Sequence, residues 1–272
     1  MIVTTAGRTN KDMQILADRI AKDFNCRYVR REKVSIQHLK EQYQSDILII
    51  GKNRFEFCSL NGEEPFFFHP NSAVFRIKRL MNKENDPFID ATNLTKGKSF
   101  LDCTLGLASD SIVASYVVGS SGKVEGLEAN QVIAFLVKVG LKEWETSNAA
   151  VDEAMRRVTV KHINALEALA RKEDNSIDCV YFDPMFEETI SSAGINPLKQ
   201  LALYEEVSVE LINQAKRVAK ERVVWKDHFR SSRFNQFQFE QVKRKTAKFH
   251  YGIWLKKNNK KITSMIRIIV ED

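Results

Sequence analysis

Ile177-Asp-Cys-Val-Tyr-Phe182, followed directly by Asp183-Pro-Met-Phe186, is the stretch of this 272-residue chain that decides its fold class. Its first six residues are almost all apolar, which is typical of an interior strand of a parallel sheet. Open α/β sheets bind their ligands at the carboxyl ends of such strands. Proline fixes φ and removes a backbone donor, so the chain should leave the sheet in a stiff loop. We therefore predict that Asp183, Pro184 and Phe186 lie at the carboxyl edge of the sheet, where they could bind a planar ring that carries an amine.

A second signal is a strand, a tight turn and a helix that follow one another between residues 99 and 118. Ser99-Phe-Leu-Asp102 is the strand, and the turn after it contains Gly106. Small residues let the backbone approach a ligand closely, and a helix start offers free N–H groups. The next strand, 123–128, ends in Glu128, 26 positions after Asp102. A carboxylate there can accept hydrogen bonds from both hydroxyls of a ribose, so the order of these signals predicts a nucleoside site.

Strands and helices alternate from residue 99 onward. We predict strands at 99–102, 123–128, 157–161, 177–182 and 221–226, helices at 109–118, 130–140, 163–171 and 201–219, and a closing hairpin near 239–256. This alternation predicts an α/β fold with a doubly wound, mostly parallel sheet, to which the hairpin adds antiparallel edge strands.

The amino-terminal part reads as a separate small unit. We divide the chain into a small α/β domain, 1–85, and a larger domain, 86–272, joined by a polar linker that ends at Pro87. In the small domain, residues 54–58 and 65–69 resemble the two strands of a hairpin, with Asn-Gly at its turn. A helix over 73–80 carries Arg76, Lys78 and Arg79, which we expect to be solvated rather than bound to nucleic acid.

Charge and composition favour an intracellular protein with a polyanionic partner. The formal net charge is +7 and the isoelectric point is near 9.1. Eight Lys or Arg and no acids occur between Lys243 and Lys261, interleaved with Phe249, Tyr251 and Trp254. This pattern suits RNA backbone contacts with base stacking, and it equally suits a hairpin with a charged outer face and an aromatic inner face.

The cysteines and the apolar runs bear on location. The four cysteines have no short metal-ligand spacing, which favours buried free thiols in a reducing compartment and predicts no metal site. No apolar run approaches the roughly 20 residues that span a bilayer, and the first residues lack a basic leader with an apolar core. We therefore expect a cytoplasmic protein without membrane contact.

Three motifs together carry a family resemblance: Asp102-Cys-Thr-Leu-Gly-Leu-Ala-Ser-Asp110, the acid Glu128, and Asp183-Pro-Met-Phe186. In that order they resemble the class I S-adenosylmethionine-dependent methyltransferases. More narrowly, over residues 88–256, they resemble the J-type bacterial methyltransferases that act on guanine N2 of small-subunit rRNA. Ala108 stands where that family usually has a second glycine, and alanine should serve there if its φ is negative.

The resemblance implies a fold, a cofactor and a partner. It implies a Rossmann-like sheet of seven strands, S-adenosylmethionine as cofactor, and rRNA or the small ribosomal subunit as partner. The cofactor contacts it implies come from Asp102, Thr104, Gly106, Asp110, Glu128 and Asn164. The catalytic residues it implies are Asp183, Pro184 and Phe186.

Several alternatives stay open from the sequence. The chain could methylate a protein or small-molecule amine, or it could be a noncatalytic module that binds S-adenosylmethionine or RNA. A nicotinamide-dependent oxidoreductase would need a fuller glycine pattern than Gly106 supplies. Asn164 could contact adenine or only cap a helix. Asp183 could accept hydrogen bonds from the amine or act as a general base, and the oligomeric state is left open.

Overall fold

The computed structural model describes residues 1–184 and 207–257. The described chain forms two compact units. One contains residues 1–69 and 135–144, and the other contains residues 70–134, 145–184 and 207–257. The domain boundary at residues 85 and 86 stays a prediction. In the described part of the chain, no helix combines the length and the apolar character that crossing a membrane requires.

The first unit contains a four-stranded sheet. Its elements are β1 Ile2–Thr5, α1 Lys11–Asp23, β2 Arg27–Tyr28, α2 Ile36–Tyr43, β3 Ile47–Ile50 and β4 Phe55–Cys58. The strand order is β2-β1-β3-β4, with β4 antiparallel to β3 and the other pairs parallel. The predicted second hairpin strand, 65–69, is wrong: it contributes one antiparallel bridge, Phe57 with Phe66. Pro65 has no N–H to donate to a longer ladder.

The remaining elements are the strands of the larger sheet and the helices that precede or connect them. They are α3 Asn71–Met81, α4 Pro87–Thr92, β5 Ser99–Asp102, α5 Ser109–Val118, β6 Lys123–Glu128, α6 Gln131–Glu143, α7 Ala149–Arg157, β7 Val158–His162, α8 Ala165–Ala170, β8 Ile177–Phe182, α9 Val209–Val218, β9 Ala219–His228, α10 Arg233–Gln236, β10 Glu240–Val242 and β11 Phe249–Leu255. Residues 135–143 of α6 belong to the first unit. The strand order is β10-β11-β9-β8-β5-β6-β7. Strands β9 to β7 in that order are parallel, and β11 and β10 are antiparallel additions. This confirms the predicted doubly wound, mostly parallel, seven-stranded sheet.

Three described helices of the larger unit, α4, α7 and α10, were not predicted. Helix α7 begins after Asn148, whose side chain accepts a hydrogen bond from the backbone N–H of Ala150. Its buried residues, Val151, Ala154 and Met155, have helical spacing, so the signal was present in the sequence. Strand β9 is also longer than predicted, by two residues at each end. The predicted helix at 201–219 is described only from residue 207, and its described part, α9, ends at Val218.

Aromatic packing fixes the ends of the central strands. Trp225 of β9 is fully buried and stacks on Phe182, the last residue of β8, with ring centroids 5.2 Å apart. Tyr181 packs edge-on against Phe88 at 5.1 Å. Burying side chains of this size stabilises a fold by about 1.5–3 kcal/mol each. The residues that follow β8 and β9 therefore project from a rigid base.

Candidate active site

The predicted site residues meet at one edge of the larger sheet. Strand β5 lies between β6 and β8, and Asp102 is in register with Gly126 on one side and Tyr181 on the other. Because these three strands are parallel, Asp102, Glu128 and Asp183 all end up at the carboxyl edge. The prediction that this edge collects the polar residues of three motifs is thereby confirmed.

Asp102 organises the turn that follows β5. Its side chain is buried, with one oxygen accepting the backbone N–H of Thr104 at 3.0 Å and the other accepting the hydroxyl of Ser111 at 2.8 Å. The Thr104 hydroxyl in turn accepts the backbone N–H of Asp183 at 2.6 Å. Thr104 thus joins the turn after β5 to the loop after β8.

Glu128 closes the turn from the next strand. Its two carboxylate oxygens accept the backbone N–H groups of Gly106, at 3.2 Å, and Asn130, at 2.9 Å. Gly106 has a φ of +48°, a conformation that favours glycine. The turn also lies tightly on β6, because a Cβ on Gly126 would be 2.2 Å from Leu105 Cδ1. A carboxylate has about four lone-pair positions, so Glu128 can accept more than these two hydrogen bonds.

Ala108 departs from the sequence expectation. Its φ is +61° and its ψ is 18°, which is left-handed rather than the negative φ that alanine prefers. It is fully buried at the start of α5 and has no side-chain capping bond. Alanine at this position therefore stores backbone strain that glycine would relieve.

Ala108→Gly should raise the free energy of unfolding by about 0.5–1 kcal/mol, because the left-handed strain exceeds the extra entropy of glycine in the unfolded chain. Ala114→Gly, a buried position inside the same helix, should lower it, since glycine there only weakens helix and packing. Urea unfolding of both variants measures the difference. Equal destabilisation by the two substitutions would contradict the strained turn.

Asp110 lies inside an ion-pair network. Arg76 of α3 donates to it at 2.5 Å and pairs with Asp86 at 2.7 Å, while the hydroxyl of Tyr181 donates to its other oxygen at 2.7 Å. Burial would raise the pKa of Asp110, but Lys226 and Arg76 outweigh burial and lower that pKa to about 2. The expectation that Arg76 is solvated is wrong, and the cofactor contact of Asp110 stays a prediction.

Asp183 pairs with Lys226, the residue after the buried Trp225. Lys226 Nζ is 2.5 Å from an Asp183 oxygen and 3.6 Å from an Asp110 oxygen. Burial raises the pKa of Asp183, and the attraction of Lys226 opposes that rise only in part. The negative charge of Asp110 adds to the rise at Asp183, whereas Asp110 itself has Arg76 and Tyr181 as further donors. The Asp183 side chain keeps 27% of its exposure, so a ligand can reach it.

The remaining predicted residues divide into three cases. Asn164 caps α8, accepting the N–H groups of Leu166 and Glu167, which confirms its capping role and leaves its adenine contact a prediction. Pro184 follows Asp183 in the loop that leaves the sheet. Phe186 lies outside the described residues. Lys226 and Arg76 are the site residues whose ion pairs the sequence did not reveal; a lysine between Trp225 and Asp227 at a strand end was the available signal.

Protonation of Asp102 should couple stability to pH. Burial raises its pKa from an ordinary 3.8 to about 7, although Ser111 and Thr104 lower it in part. A raised carboxyl pKa means that the folded state favours the protonated form. The stability that protonated Asp102 contributes is therefore fully present below about pH 4 and is lost as the pH rises to 7. Asp102→Asn has no carboxyl group to ionise at this position. Its free energy of unfolding should therefore rise relative to that of the native chain as the pH rises, by up to a few kcal/mol at pH 8.

Urea unfolding at pH 4.5, 6 and 8 tests the Asp102 prediction. The control is Asp178→Asn in β8, because hydrogen bonds from Ser99 lower the pKa of Asp178 despite its burial. That variant should instead be less stable than the native chain by an amount that changes little between pH 4.5 and 8, because the stabilising effect of a lowered carboxyl pKa is already present above the ordinary value of 3.8. A difference between Asp102→Asn and the native chain that is independent of pH would contradict the buried acid.

Comparison with known proteins identifies the family. Residues 31–256 match the family model SAM_MT, described as "Putative SAM-dependent methyltransferase". The "Uncharacterized protein YpiP" of Bacillus subtilis (strain 168) is 45% identical over 253 residues, which cover 93% of this chain and 98% of that protein. The ribosomal RNA small subunit methyltransferase J of Neisseria gonorrhoeae is 30% identical over 145 residues, 50% of this chain and 55% of that enzyme.

A solved structure shares the fold. The crystal structure of a SAM-dependent methyltransferase from Neisseria gonorrhoeae superposes with a TM-score of 0.61 at 17% identity, over 94% of this chain and 96% of that one. Within the described residues, no group of three or more His, Cys, Asp or Glu is arranged to hold a metal ion. The family match, the seven-stranded sheet and the nucleoside-type turn agree, and the chain belongs to the S-adenosylmethionine-dependent methyltransferases, with S-adenosylmethionine as its cofactor.

Proposed function

We propose that this enzyme methylates the exocyclic amine of a guanine in small-subunit rRNA. The observation that carries the proposal is the placement of Asp183. Its backbone N–H donates to the hydroxyl of Thr104 in the turn after β5, and its carboxylate accepts a hydrogen bond from Lys226. An acceptor for an amine is thereby fixed beside a nucleoside site. The rRNA methyltransferases J, 25–30% identical to this chain, support the choice of rRNA.

The residues around the turn fit S-adenosylmethionine. Glu128 is half-buried, and its carboxylate is of the type that accepts hydrogen bonds from ribose hydroxyls. Asp102, Thr104 and Gly106 shape a turn whose backbone can approach the methionine part. Asn164 at the end of β7 would contact the adenine side. When bound, the cofactor supplies a methyl group on a sulfonium, an electrophile that needs no metal to activate it.

Asp183 has two tasks in this proposal. The guanine amine is a weak nucleophile because its lone pair is delocalised into the ring, so alignment and hydrogen bonding matter most. Asp183 and the Pro184 carbonyl accept the two amine hydrogens and aim the nitrogen at the methyl. As the new N–C bond forms and the C–S bond breaks, the nitrogen loses a proton, which Asp183 can accept. The predicted role of Phe186 is to stack on the extruded base.

An rRNA substrate would place the enzyme in the cytoplasm and explains its net positive charge. A cationic protein attracts nucleic acid through the phosphates, independently of sequence. Substrates that are small amines need no such surface. We assign the excess of Lys and Arg over Asp and Glu to this attraction.

Labelled-methyl transfer tests the function. The purified enzyme is incubated with methyl-labelled S-adenosylmethionine and, separately, with RNA from cells that lack it, total protein, and a mixture of small amines. We expect label in the small-subunit rRNA. Label in protein or small amines alone would overturn the rRNA assignment. Binding of the cofactor without transfer to any acceptor would indicate a noncatalytic module.

A further inference from the structure

A basic groove lies at the connection between β10 and β11. It has a volume of about 460 Å³ and is lined by Phe229, His250 and residues 243–248. Four of the lining residues are cations, Lys243, Arg244, Lys245 and Lys248, and the lining contains no carboxylate. We propose that this groove binds the single-stranded RNA next to the target nucleotide. The inference rests on the proposed function and extends it from the reacting base to the flanking strand.

The groove is held in shape by buried contacts. His250 is 7% exposed, and its Nε2 lies 3.1 Å from both the N–H and the carbonyl oxygen of Arg244. The Gln241 amide lies 2.8 Å from His250 Nδ1 and 2.8 Å from the Phe229 carbonyl oxygen. The connection is therefore tied to β9 and β11. A pre-formed surface loses less entropy on binding than a loose loop does.

A short series of contacts connects the groove to Asp183. The ring of Phe249 lies 5.1 Å from the Arg244 guanidinium and 4.9 Å from Lys226 Nζ. Lys226 in turn contacts Asp183 at 2.5 Å. A strand whose target base reaches Asp183 would therefore continue past Phe249 into the groove.

The aromatic groups of this region fit a nucleic acid strand. Phe229 is 37% exposed at the groove, with the Arg230 guanidinium 4.9 Å from its ring centre. An exposed ring beside several cations is the arrangement that binds single strands, through stacking and phosphate contacts. Two sequence candidates drop out, because Tyr251 is buried and Trp254 packs against the core. Phe229 takes the stacking role instead.

Charge removal tests the groove. The triple variant Lys243→Gln, Lys245→Gln, Lys248→Gln removes three exposed charges at the groove. Its matched control, Lys96→Gln, Lys123→Gln, Lys220→Gln, removes three exposed charges before or at the start of β5, β6 and β9, the opposite edge of the sheet. Affinity for a single-stranded RNA oligonucleotide is measured from 50 to 200 mM salt, with saturating S-adenosylhomocysteine.

The groove variant should bind RNA at least about tenfold more weakly, and its slope of log affinity against log salt should fall by about 2, since each lost phosphate contact contributes about 0.7. Phe229→Leu should weaken binding by about tenfold without changing the slope, because stacking is uncharged. The control triple should retain the native affinity within about threefold, as expected for the long-range term alone.

The outcomes separate this inference from the proposed function. Equal losses in the groove and control triples would overturn the groove, even if the enzyme methylates rRNA. Loss confined to the groove variants, in an enzyme that transfers no methyl to RNA, would support the groove and overturn the rRNA reaction. A native chain that binds no single-stranded RNA, or that binds an acidic peptide through the same lysines instead, would overturn the groove, while methyl transfer to rRNA decides the reaction separately.

Discussion

Asp183→Asn is expected to lower the rate of methyl transfer by about 10²- to 10⁴-fold while cofactor affinity stays within a few fold. Asparagine keeps the shape and the backbone N–H that Thr104 accepts. It replaces one acceptor oxygen with a donor, so the amine loses its partner and its proton acceptor. Calorimetric titration with S-adenosylmethionine and single-turnover transfer rates separate binding from chemistry.

Asp178→Asn is the matched control for this substitution. Asp178 lies near the start of the same strand, β8, where it accepts hydrogen bonds from Ser99. The change of chemistry is identical, but the position is at the opposite edge of the sheet. We expect native transfer rates from the folded fraction of this variant. A comparable rate loss in both variants would remove Asp183 from the chemistry.

Lys226→Met is expected to move the acidic limb of the rate profile to higher pH. In the proposed function transfer requires the Asp183 carboxylate, so its raised pKa should make the rate fall as pH decreases. Lys226 opposes that rise, so its removal leaves Asp183 and Asp110 as like charges in a buried site. The pKa of Asp183 should then rise further, and the limb should move to higher pH with it.

The pH profile of the single-turnover rate, from pH 5 to 9, measures this effect. Lys226→Arg should restore much of the native profile because it returns the charge. Lys216→Met is the matched control: this partly buried lysine also lies over aromatic rings, 5.5 Å from Trp254, but donates to the Phe237 carbonyl oxygen rather than to an acid. An unshifted limb in Lys226→Met would show that Lys226 does not set the protonation of Asp183.

Local signals made much of this fold predictable. The apolar run of β8 and the proline after it are confined to a few residues, and so is the small-residue turn after β5. Parallel topology then places the ends of neighbouring strands at one edge, which is why Asp102, Glu128 and Asp183 could be brought together from sequence. The features of the site that depend only on chain order and strand direction could therefore be predicted from the sequence.

Long-range pairing was not predictable in the same way. Arg76 and Asp110 are 34 positions apart, and Thr104 and Asp183 are 79 apart. A helix charge with no visible partner resembles any solvated arginine. The positive φ of Ala108 was not predictable either, because the turn imposes this backbone conformation and the residue type alone does not reveal it. Tertiary context decides such features.

The measurement that tests the central claim most directly is nucleoside mass spectrometry of small-subunit rRNA. The rRNA is prepared from cells that lack this enzyme and is incubated with S-adenosylmethionine and either the native chain or Asp183→Asn. Our account predicts that the native chain alone adds N2-methylguanosine, at a single position. Methyl transfer to another nucleoside, equal transfer by Asp183→Asn, or no transfer by a native chain that binds the cofactor would contradict it.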